Sequence, residues 1–336
     1  MTETPIRRER KPIKTWSLLG DVKKVPSTYE VVTSKFHYHF RREPAPFELD
    51  PETPINKWYL QYREGSPVQV DDWEQFRDPA RLTYRDYVSL QSQHETYLDH
   101  LIDQAEREDV IASLSPEWVE TLGRFLIPMR FPLHTLQMTS LYVGQMAPSS
   151  FITNCANFQA ADEMRRIQRL AYWTKSLSLT HGEDLATTAF ARDAWEGDPA
   201  WQPLRQACEE MLATYDWAEA WIALDMAVKP AMDALLDWQF ADAARAQGDE
   251  FLALMFQEFR NDAQRSADWT IALAKYALAK DEGLAGVLGD WADRWQPQAV
   301  EATEPLSAML SGSVPAEGTQ SPAERVAWIR AESGLG

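Results

Sequence analysis

The sequence predicts an all-α fold, a helical bundle preceded by a long proline-rich N-terminal arm. From about residue 80 onward, apolar residues recur every three or four positions over long segments, which is the period of amphipathic helices. Nine prolines fall within residues 1–80, and helices tolerate that density poorly. No pair of alternating strands joined by a turn is recognisable after residue 80. Hydrophobic residues make up 45% of the chain, which is enough for a sizeable core.

The helices of the bundle have recognisable starts and interruptions. Ser115, Pro116 and Glu117 form a start signal: an N-cap, a proline at the first helical position and an acid in the first turn. Internal prolines should kink two helices, at Pro128 and Pro132 in one and at Pro230 in another. The helical periodicity covers 80–107, 116–146, 149–180, 199–214, 217–236, 249–280 and a looser terminal set after 283.

Three regions follow from these patterns. Residues 1–80 are expected to form an extended arm, rich in aromatic residues and proline, that lies over a surface of this chain or of a partner. Residues 81–311 are expected to form the helical domain. Residues 312–336 are expected to form a loop followed by a short C-terminal helix.

Charge and cysteine usage exclude several classes of function. The net charge is −18, and such an acidic surface repels phosphate, so neither nucleic acid nor an anionic membrane is an expected partner. The two cysteines, Cys155 and Cys208, show no paired spacing, which favours a reducing compartment. No apolar run approaches the length of a membrane span. We therefore expect a cytoplasmic protein.

Two predicted helices carry an acid in the middle of an otherwise mostly apolar stripe. Glu163 occupies this position in 149–180, and Asp262 occupies it in 249–280. Each acid is followed three residues later by an arginine, Arg166 and Arg265 respectively. Ferritin-like diiron bundles use Glu-x-x-His at the same spacing on two helices, and one further Glu from each of the other two helices. The pattern therefore resembles a ferritin-like bundle in which arginine stands in place of histidine.

The remaining ligands of such a site are also missing from the sequence. Residues 121–161 contain no Asp or Glu, and Lys229 stands near the level of the second single carboxylate. In the helix 217–236, Glu219 and Asp225 lie off the apolar stripe and are interpreted as surface acids. Because arginine and lysine offer no lone pair to a metal at neutral pH, we expect no metal in this chain. Catalytic motifs are equally lacking, so no catalytic residue is expected.

A simpler explanation stays open for these acids. Acid–arginine pairs three residues apart usually lie on solvated helix faces. If the pairs Glu163–Arg166 and Asp262–Arg265 are instead ion-paired in or near the core, they are remnants of a lost metal site. A structure in which Glu163 and Asp262 are both fully exposed would argue against that hypothesis.

Several long segments resemble the β subunits of toluene and related aromatic or alkene monooxygenase hydroxylases. The resemblance runs over nearly the whole chain, from the segment 11–30 to the segment 293–297. Because the segments are long and unusual in sequence, the match is far more specific than a short motif. The strongest blocks are NKWYLQYREGSPVQVDDWEQFRDPARLTYRDY (56–87), QMAPSSFITNCANFQAADEMRR (145–166) and YDWAEAWIALDMAVKP (215–230).

The resemblance implies a ferritin-like, ribonucleotide-reductase-like bundle without diiron ligands, acting as a non-catalytic subunit of an NADH-dependent oxidoreductase. It implies an (αβγ)2 hydroxylase whose α subunit holds the diiron centre, together with an effector protein, a Rieske ferredoxin and a reductase. The aromatic arm would then contact a partner, as would the exposed faces of 116–146 and 149–180. Two alternatives are an independent ferritin-like metallo-oxidase and an unrelated helical interaction protein. The candidate interface residues are Trp16, Trp58, Tyr59, Tyr62 and Trp73.

Overall fold

A computed structural model describes residues 27–33, 54–310 and 319–336 of the chain. Every regular element in these ranges is helical, and no strand occurs among them, so the predicted all-α class is confirmed. The helices before residue 200 are α1 (Thr28–Thr33), α2 (Pro54–Tyr59), α3 (Tyr84–Arg107), α4 (Pro116–Phe125), α5 (Arg130–Met146), α6 (Ser150–His181) and α7 (Thr188–Gly197). Those after residue 200 are α8 (Gln202–Leu212), α9 (Trp217–Trp221), α10 (Lys229–Asp233), α11 (Ala241–Ala246), α12 (Glu250–Lys280), α13 (Leu284–Leu310) and α14 (Pro322–Glu332).

The described part of the N-terminal arm contains short helices, which corrects the expectation that it is extended throughout, although residues 65–72 have no helix. Helix α1 is one short helix, and α2 continues into a π-helical turn, Leu60–Glu64. Pro54 is compatible with helix because it occupies the first position, where its missing N–H has no partner to lose. The candidate interface residue Trp16 lies outside the described residues.

Helix starts follow the side-chain capping that the sequence indicated. The hydroxyl of Ser115 accepts a hydrogen bond from the Trp118 amide at 3.1 Å, and Pro116 opens α4. Helices α6 and α12 begin in the same way, because Ser149 and Asp249 accept from amides of the following turn. Each cap satisfies an amide that would otherwise lack an intrahelical partner.

Prolines divide the predicted helix 116–146 into two helices, whereas only a kink was expected. Helix α4 ends at Phe125, a 3-10 turn spans Ile127–Met129, and α5 begins at Arg130. Pro128 lies in the 3-10 turn and Pro132 in the first turn of α5, where a proline is tolerated. Helix α7 lies between the predicted helices 149–180 and 199–214, in a segment for which the periodicity predicts no helix.

Residues 217–246 form one continuous central helix, longer than the predicted 217–236. It contains two π-helical stretches, Ile222–Val228 and Ala234–Phe240, on either side of α10. Pro230 lies between them and has no N–H to offer the carbonyl of Met226 four residues earlier. The side-chain amide of Gln296 on α13 donates to that carbonyl at 2.9 Å. A neighbouring helix therefore supplies a hydrogen bond that Pro230 cannot make.

The core lies between these long helices. Helix α6 packs along α5, and α12 contacts α3, α6 and the central helix. Large buried side chains such as Trp217, Trp221 and Trp295 fill the interior. No helix in the described ranges is long and apolar enough to cross a membrane.

Candidate functional site

Helix α6 points charged side chains into the core on two sides. Asp162 and Glu163 are adjacent in sequence, and so are Arg165 and Arg166, so each acid is followed three residues later by an arginine. Residues three apart lie on the same face of a helix, which directs Glu163 and Arg166 one way and Asp162 and Arg165 another. All four side chains are buried, with at most 7% of any residue exposed. The core therefore holds two groups of charges, one on each side of α6.

The first group, the Lys229 cluster, consists of Glu163, Arg166, Lys229, Asp233 and Asp237. The Lys229 ammonium donates to Glu163 Oε1 at 2.7 Å and to both Asp233 carboxylate oxygens at 3.0 Å. Arg166 Nη1 lies 2.8 Å from Asp233 Oδ1 and 3.5 Å from Glu163 Oε2, and its Nη2 donates to Asp237. None of these five side chains is more than 3% exposed. The predicted Glu163–Arg166 pair is thus present in the core, and the Lys229 ammonium lies closer to Glu163 than the Arg166 guanidinium does.

The second group, the Asp262 cluster, joins α3, α6 and α12. Arg265 Nη2 lies 2.8 Å from Asp262 Oδ1 and 2.5 Å from Asp162 Oδ2. Arg165 bridges Asp262 and Glu258 at 2.7 and 2.5 Å. The predicted Asp262–Arg265 pair is therefore also present. Further hydrogen bonds to these carboxylates come from Tyr87 and Gln91 of α3.

Asp225 corrects one sequence expectation, because it is a core residue and not a surface acid. It is 3% exposed, and Gln159 Nε2 donates to its Oδ1 at 2.6 Å. Trp269 Nε1 in turn donates to Gln159 Oε1 at 3.0 Å, which fixes the orientation of that amide. Glu219 is half-buried and pairs with Arg294 at 2.8 Å.

Burial and neighbouring charges have opposing effects on the pKa values of the Lys229 cluster and of the nearby Asp225. Burial raises the pKa of Asp225 to about 8, and it also raises the pKa of Asp237 above its usual range. Burial alone would lower the pKa of Lys229, but the carboxylates of Asp233 and Glu163 outweigh it and raise that pKa. Burial would also raise the pKa of Asp233, but Lys229 and Arg166 outweigh it and lower that pKa.

The two aspartates of the Asp262 cluster, Asp162 and Asp262, have pKa values that are shifted in opposite directions. Burial, reinforced by the neighbouring Asp262, raises the pKa of Asp162 to about 7. Burial would also raise the pKa of Asp262, but Arg265 and Arg165 outweigh it and lower that pKa. The proximity of two carboxyl groups thus favours one neutral and one ionised member.

The donor set of these clusters does not fit a diiron centre. Such a centre takes carboxylate and imidazole ligands, whereas here the carboxylate oxygens are bound by the Lys229 ammonium and three guanidinium groups. Lysine and arginine at these positions compete with a metal for the same oxygens and offer it no lone pair. Within the described ranges, no three His, Cys, Asp or Glu side chains are grouped so that they could hold a metal ion.

Sequence reasoning missed more than half of this charged core. It identified Glu163, Arg166, Lys229, Asp262 and Arg265, but it counted only two core carboxylates. A visible signal was available in the central helix, where ionisable residues recur every four positions. The overlooked members are Asp162, Arg165, Asp225, Asp233, Asp237 and Glu258, together with their partners Tyr87 and Gln91.

The candidate interface residues divide into surface and core. Trp58 and Tyr62 lie on the body of the chain, with ring centroids 4.6 Å apart and both close to Tyr215. Trp58 Nε1 donates to the Tyr142 hydroxyl at 3.0 Å, which ties α2 to α5. Trp58, Tyr62, Tyr142 and Tyr215 contact one another, and large apolar side chains near them in sequence are exposed. We use the name aromatic face for these four side chains together with the exposed residues Ile55, Leu60, Met138, Leu141 and Leu212.

The candidate interface residue Trp73 is buried within this chain, which corrects the prediction that it contacts a partner. It is only 7% exposed, and its ring packs edge-on against Trp217 at 5.4 Å. It therefore belongs to the core of this chain. Tyr59 is half-buried, and the Arg63 guanidinium lies 4.6 Å from the centre of its ring.

Comparison with known proteins identifies relatives of the whole chain. It is 38% identical over 305 residues to the beta subunit of the hydroxylase component of the toluene-4-monooxygenase system from Ectopseudomonas mendocina. The match covers 91% of this chain and 93% of that subunit. An oxygenase component of phenol 2-monooxygenase from Pseudomonas sp. (strain CF600) is 24% identical over 73% of each chain.

Solved structures show the same fold. A chain in the structure of toluene 4-monooxygenase with toluene in its resting active site superposes with a TM-score of 0.83 and 37% identity, covering 91% of this chain and 100% of that chain. A chain of xenon-pressurised phenol hydroxylase from Pseudomonas sp. OX1 gives a TM-score of 0.77 at 21% identity, covering 99% of this chain and 95% of that one, and so supports the fold. The family model described as methane/phenol/alkene hydroxylase matches residues 58–281. The chain therefore belongs to the methane/phenol/alkene hydroxylase family and is homologous to the beta subunit of a multicomponent monooxygenase hydroxylase.

Proposed function

We propose that this chain is the non-catalytic, structural beta subunit of a diiron monooxygenase hydroxylase that inserts one oxygen atom of O2 into an aromatic hydrocarbon or alkene. Iron would be held by the alpha subunit. The observation that carries the proposal is the Lys229 cluster, in which an ammonium and a guanidinium bind the buried carboxylates of a ferritin-like bundle. The similarity to a hydroxylase beta subunit over 91% of this chain supports this interpretation of the core.

We interpret Glu163, Arg166, Lys229, Asp262 and Arg265 as remnants of lost ligand positions. Their charges now hold helices together where a metal ion would otherwise do so. Lys229 links α6 to the central helix, and the Asp262 cluster links α3 and α6 to α12. Such a core would keep the subunit rigid without any metal.

The partners would be alpha and gamma subunits in an (αβγ)2 assembly, on which an effector protein, a Rieske ferredoxin and a reductase act in the cytoplasm. The aromatic face offers a surface for such a contact. Tyr215 is 41% exposed and packs against Trp58 and Tyr62, and Leu60, which lies between those two residues in the sequence, is 51% exposed. Aromatic residues surrounded by exposed apolar side chains are typical of protein interfaces.

The alternative of an independent metallo-oxidase is less well supported, because the carboxylates of both clusters are bound by lysine and arginine cations. His94 Nδ1 lies 3.0 Å from Glu258 Oε1, a carboxylate that Arg165 already binds. An unrelated interaction protein is excluded by the family match. Metal content therefore distinguishes the two remaining possibilities.

The experiment measures iron and molecular mass for the full chain purified alone, and again after co-expression with the neighbouring oxygenase genes. An iron-free chain that joins an iron-containing assembly would support the beta-subunit role. Two irons per chain in the isolated protein would overturn it and would identify an enzyme in its own right. An isolated chain that stays monomeric in the presence of alpha would contradict the structural role.

A further inference from the structure

We propose that a cavity at one end of the bundle binds a small single-ring aromatic molecule that carries no negative charge. The cavity lies between the C-terminal ends of α3 and α6 and the start of α12, and its volume is about 240 Å³. For comparison, an engineered apolar cavity of roughly 150 Å³ is large enough to bind benzene. The aromatic walls and the size both favour one ring over a longer ligand.

The walls of the cavity are largely apolar and come from α3, α6, α12 and the turn after α3, and Ser176 and Thr180 of α6 add two hydroxyl groups to the lining. Ile102 and Ala105 come from α3, Trp173 from α6 and Phe251 from α12, with Ile111 from the turn after α3. Trp173 is only 2% exposed, so its indole forms part of a fixed wall. Flat aromatic side chains stack favourably on a flat ligand ring, which adds to the burial of apolar surface.

The wall formed by the turn after α3 is held in place. His181 Nε2 at the end of α6 donates to the carbonyl of Ile111 at 2.7 Å. The Val110 amide donates to the Ala105 carbonyl at 3.0 Å, and Asp109 adopts a left-handed conformation with φ of 53°. An aspartate tolerates this conformation at a helix C-terminus, so the turn is closed before any ligand binds.

Polar groups around the cavity select against anions. Glu106 and Asp109 both line it, and the Tyr172 hydroxyl donates to Glu106 Oε1 at 2.9 Å. Their carboxylates would repel an anionic ring, whereas a neutral ring is not repelled and a phenolic hydroxyl could donate to Glu106. Binding here is independent of the proposed subunit role, because it can be measured on the full chain without partner subunits or turnover.

A second cavity of about 170 Å³ lies beside the first and shares Ala105 and Phe251 with it. Ala105 is therefore the position at which a larger side chain would fill the site. Ala112 lies in the exposed 3-10 turn that follows and does not line either cavity, so it serves as the matched control.

The test is a titration of the full chain, labelled at isoleucine methyl groups, with fluorobenzene as the probe. We expect saturable NMR shifts at Ile102 and Ile111, and none at Ile127 and Ile152 in the core. Ala105→Phe should weaken binding at least tenfold, whereas Ala112→Phe should bind as the wild type does. The anionic probe 4-fluorobenzoate should bind at least tenfold more weakly than fluorobenzene.

Three results would overturn the proposal: no shift at Ile102 and Ile111, equal binding by Ala105→Phe, or equal binding of 4-fluorobenzoate. Shifts of similar size at Ile127 and Ile152 would indicate non-specific uptake by the core and would equally reject the site.

Discussion

Lys229 and Glu163 form an ion pair at 2.7 Å inside the core, where neither side chain is more than 3% exposed. The pair joins the central helix to α6 at the level where the sequence pattern placed metal ligands. Two ions are rarely removed from water together unless the geometry and further hydrogen bonds compensate for the loss of hydration. Asp233 and Arg166 supply that compensation, since each binds one member of the pair.

Replacing Lys229 by methionine should strongly destabilise the chain, because it leaves Glu163 and Asp233 with one cation fewer in the core. Removal of one partner of a buried pair typically costs about 3–5 kcal/mol in the free energy of unfolding. Urea denaturation of the isolated chain measures the change. The matched control is Arg205→Met, which breaks a partly exposed pair with Glu209. That variant should lose less than about 1 kcal/mol, and equal losses in both variants would contradict the importance of burial.

The pH dependence of stability should reflect Asp225. Its pKa is raised to about 8 in the folded state, while an unfolded aspartate has a pKa near 3.8. Between these values the folded chain holds a proton that the unfolded chain has released, so stability should fall as pH rises. The slope is about 1.4 kcal/mol per pH unit at its steepest, and it flattens above pH ~8.

Asp225→Asn imitates the neutral form and should remove this part of the slope. We expect the variant to gain stability relative to the wild type as pH increases from 5 to 8. Urea denaturation at several pH values measures it. Asp193→Asn changes an exposed aspartate and should retain the wild-type slope. Parallel curves for the wild type and Asp225→Asn would show that Asp225 ionises without penalty.

Sequence periodicity predicted the long helices well but misplaced side chains within one of them. A stripe drawn with the α-helical period runs through Trp217, Trp221 and Leu224 and leaves Asp225 outside. The central helix contains two π-helical stretches, whose i→i+5 hydrogen bonds imply more residues per turn than 3.6. Positions four apart therefore stay on one face, and the ionisable residues Asp225, Lys229, Asp233 and Asp237 follow that spacing. The central helix is also buried on all sides from Ala220 to Asp237, so a residue outside the apolar stripe still lies in the core.

The remaining charged residues could not be predicted because tertiary contacts decide them. Asp162 and Arg165 are adjacent to the predicted residues of α6, but only the packing of α3 and α12 against one side of that helix buries them. The cap at Ser115, by contrast, was predictable because a side chain and an amide three residues apart are enough to form it.

A charge on the aromatic face should weaken assembly with the partner subunits. Leu60 is 51% exposed, so Leu60→Asp should leave the fold intact while placing a carboxylate in a dry interface. We expect at least a tenfold loss of affinity in co-purification or sedimentation with the partner subunits, since such a charge costs more than about 1.4 kcal/mol. Leu60→Met keeps the apolar character and should assemble normally. Normal assembly of Leu60→Asp would remove this face from the interface.

Gln296 should contribute more to stability than other buried glutamines, because it replaces a backbone hydrogen bond. Its amide donates to the carbonyl of Met226, which Pro230 cannot serve. Gln296→Leu leaves that buried carbonyl without this donor and should cost about 1–3 kcal/mol. Pro230→Ala restores a backbone N–H, so adding it to Gln296→Leu should reduce the cost. A double-mutant cycle in urea measures the coupling directly, and strictly additive effects would show that the two residues do not act on the same carbonyl.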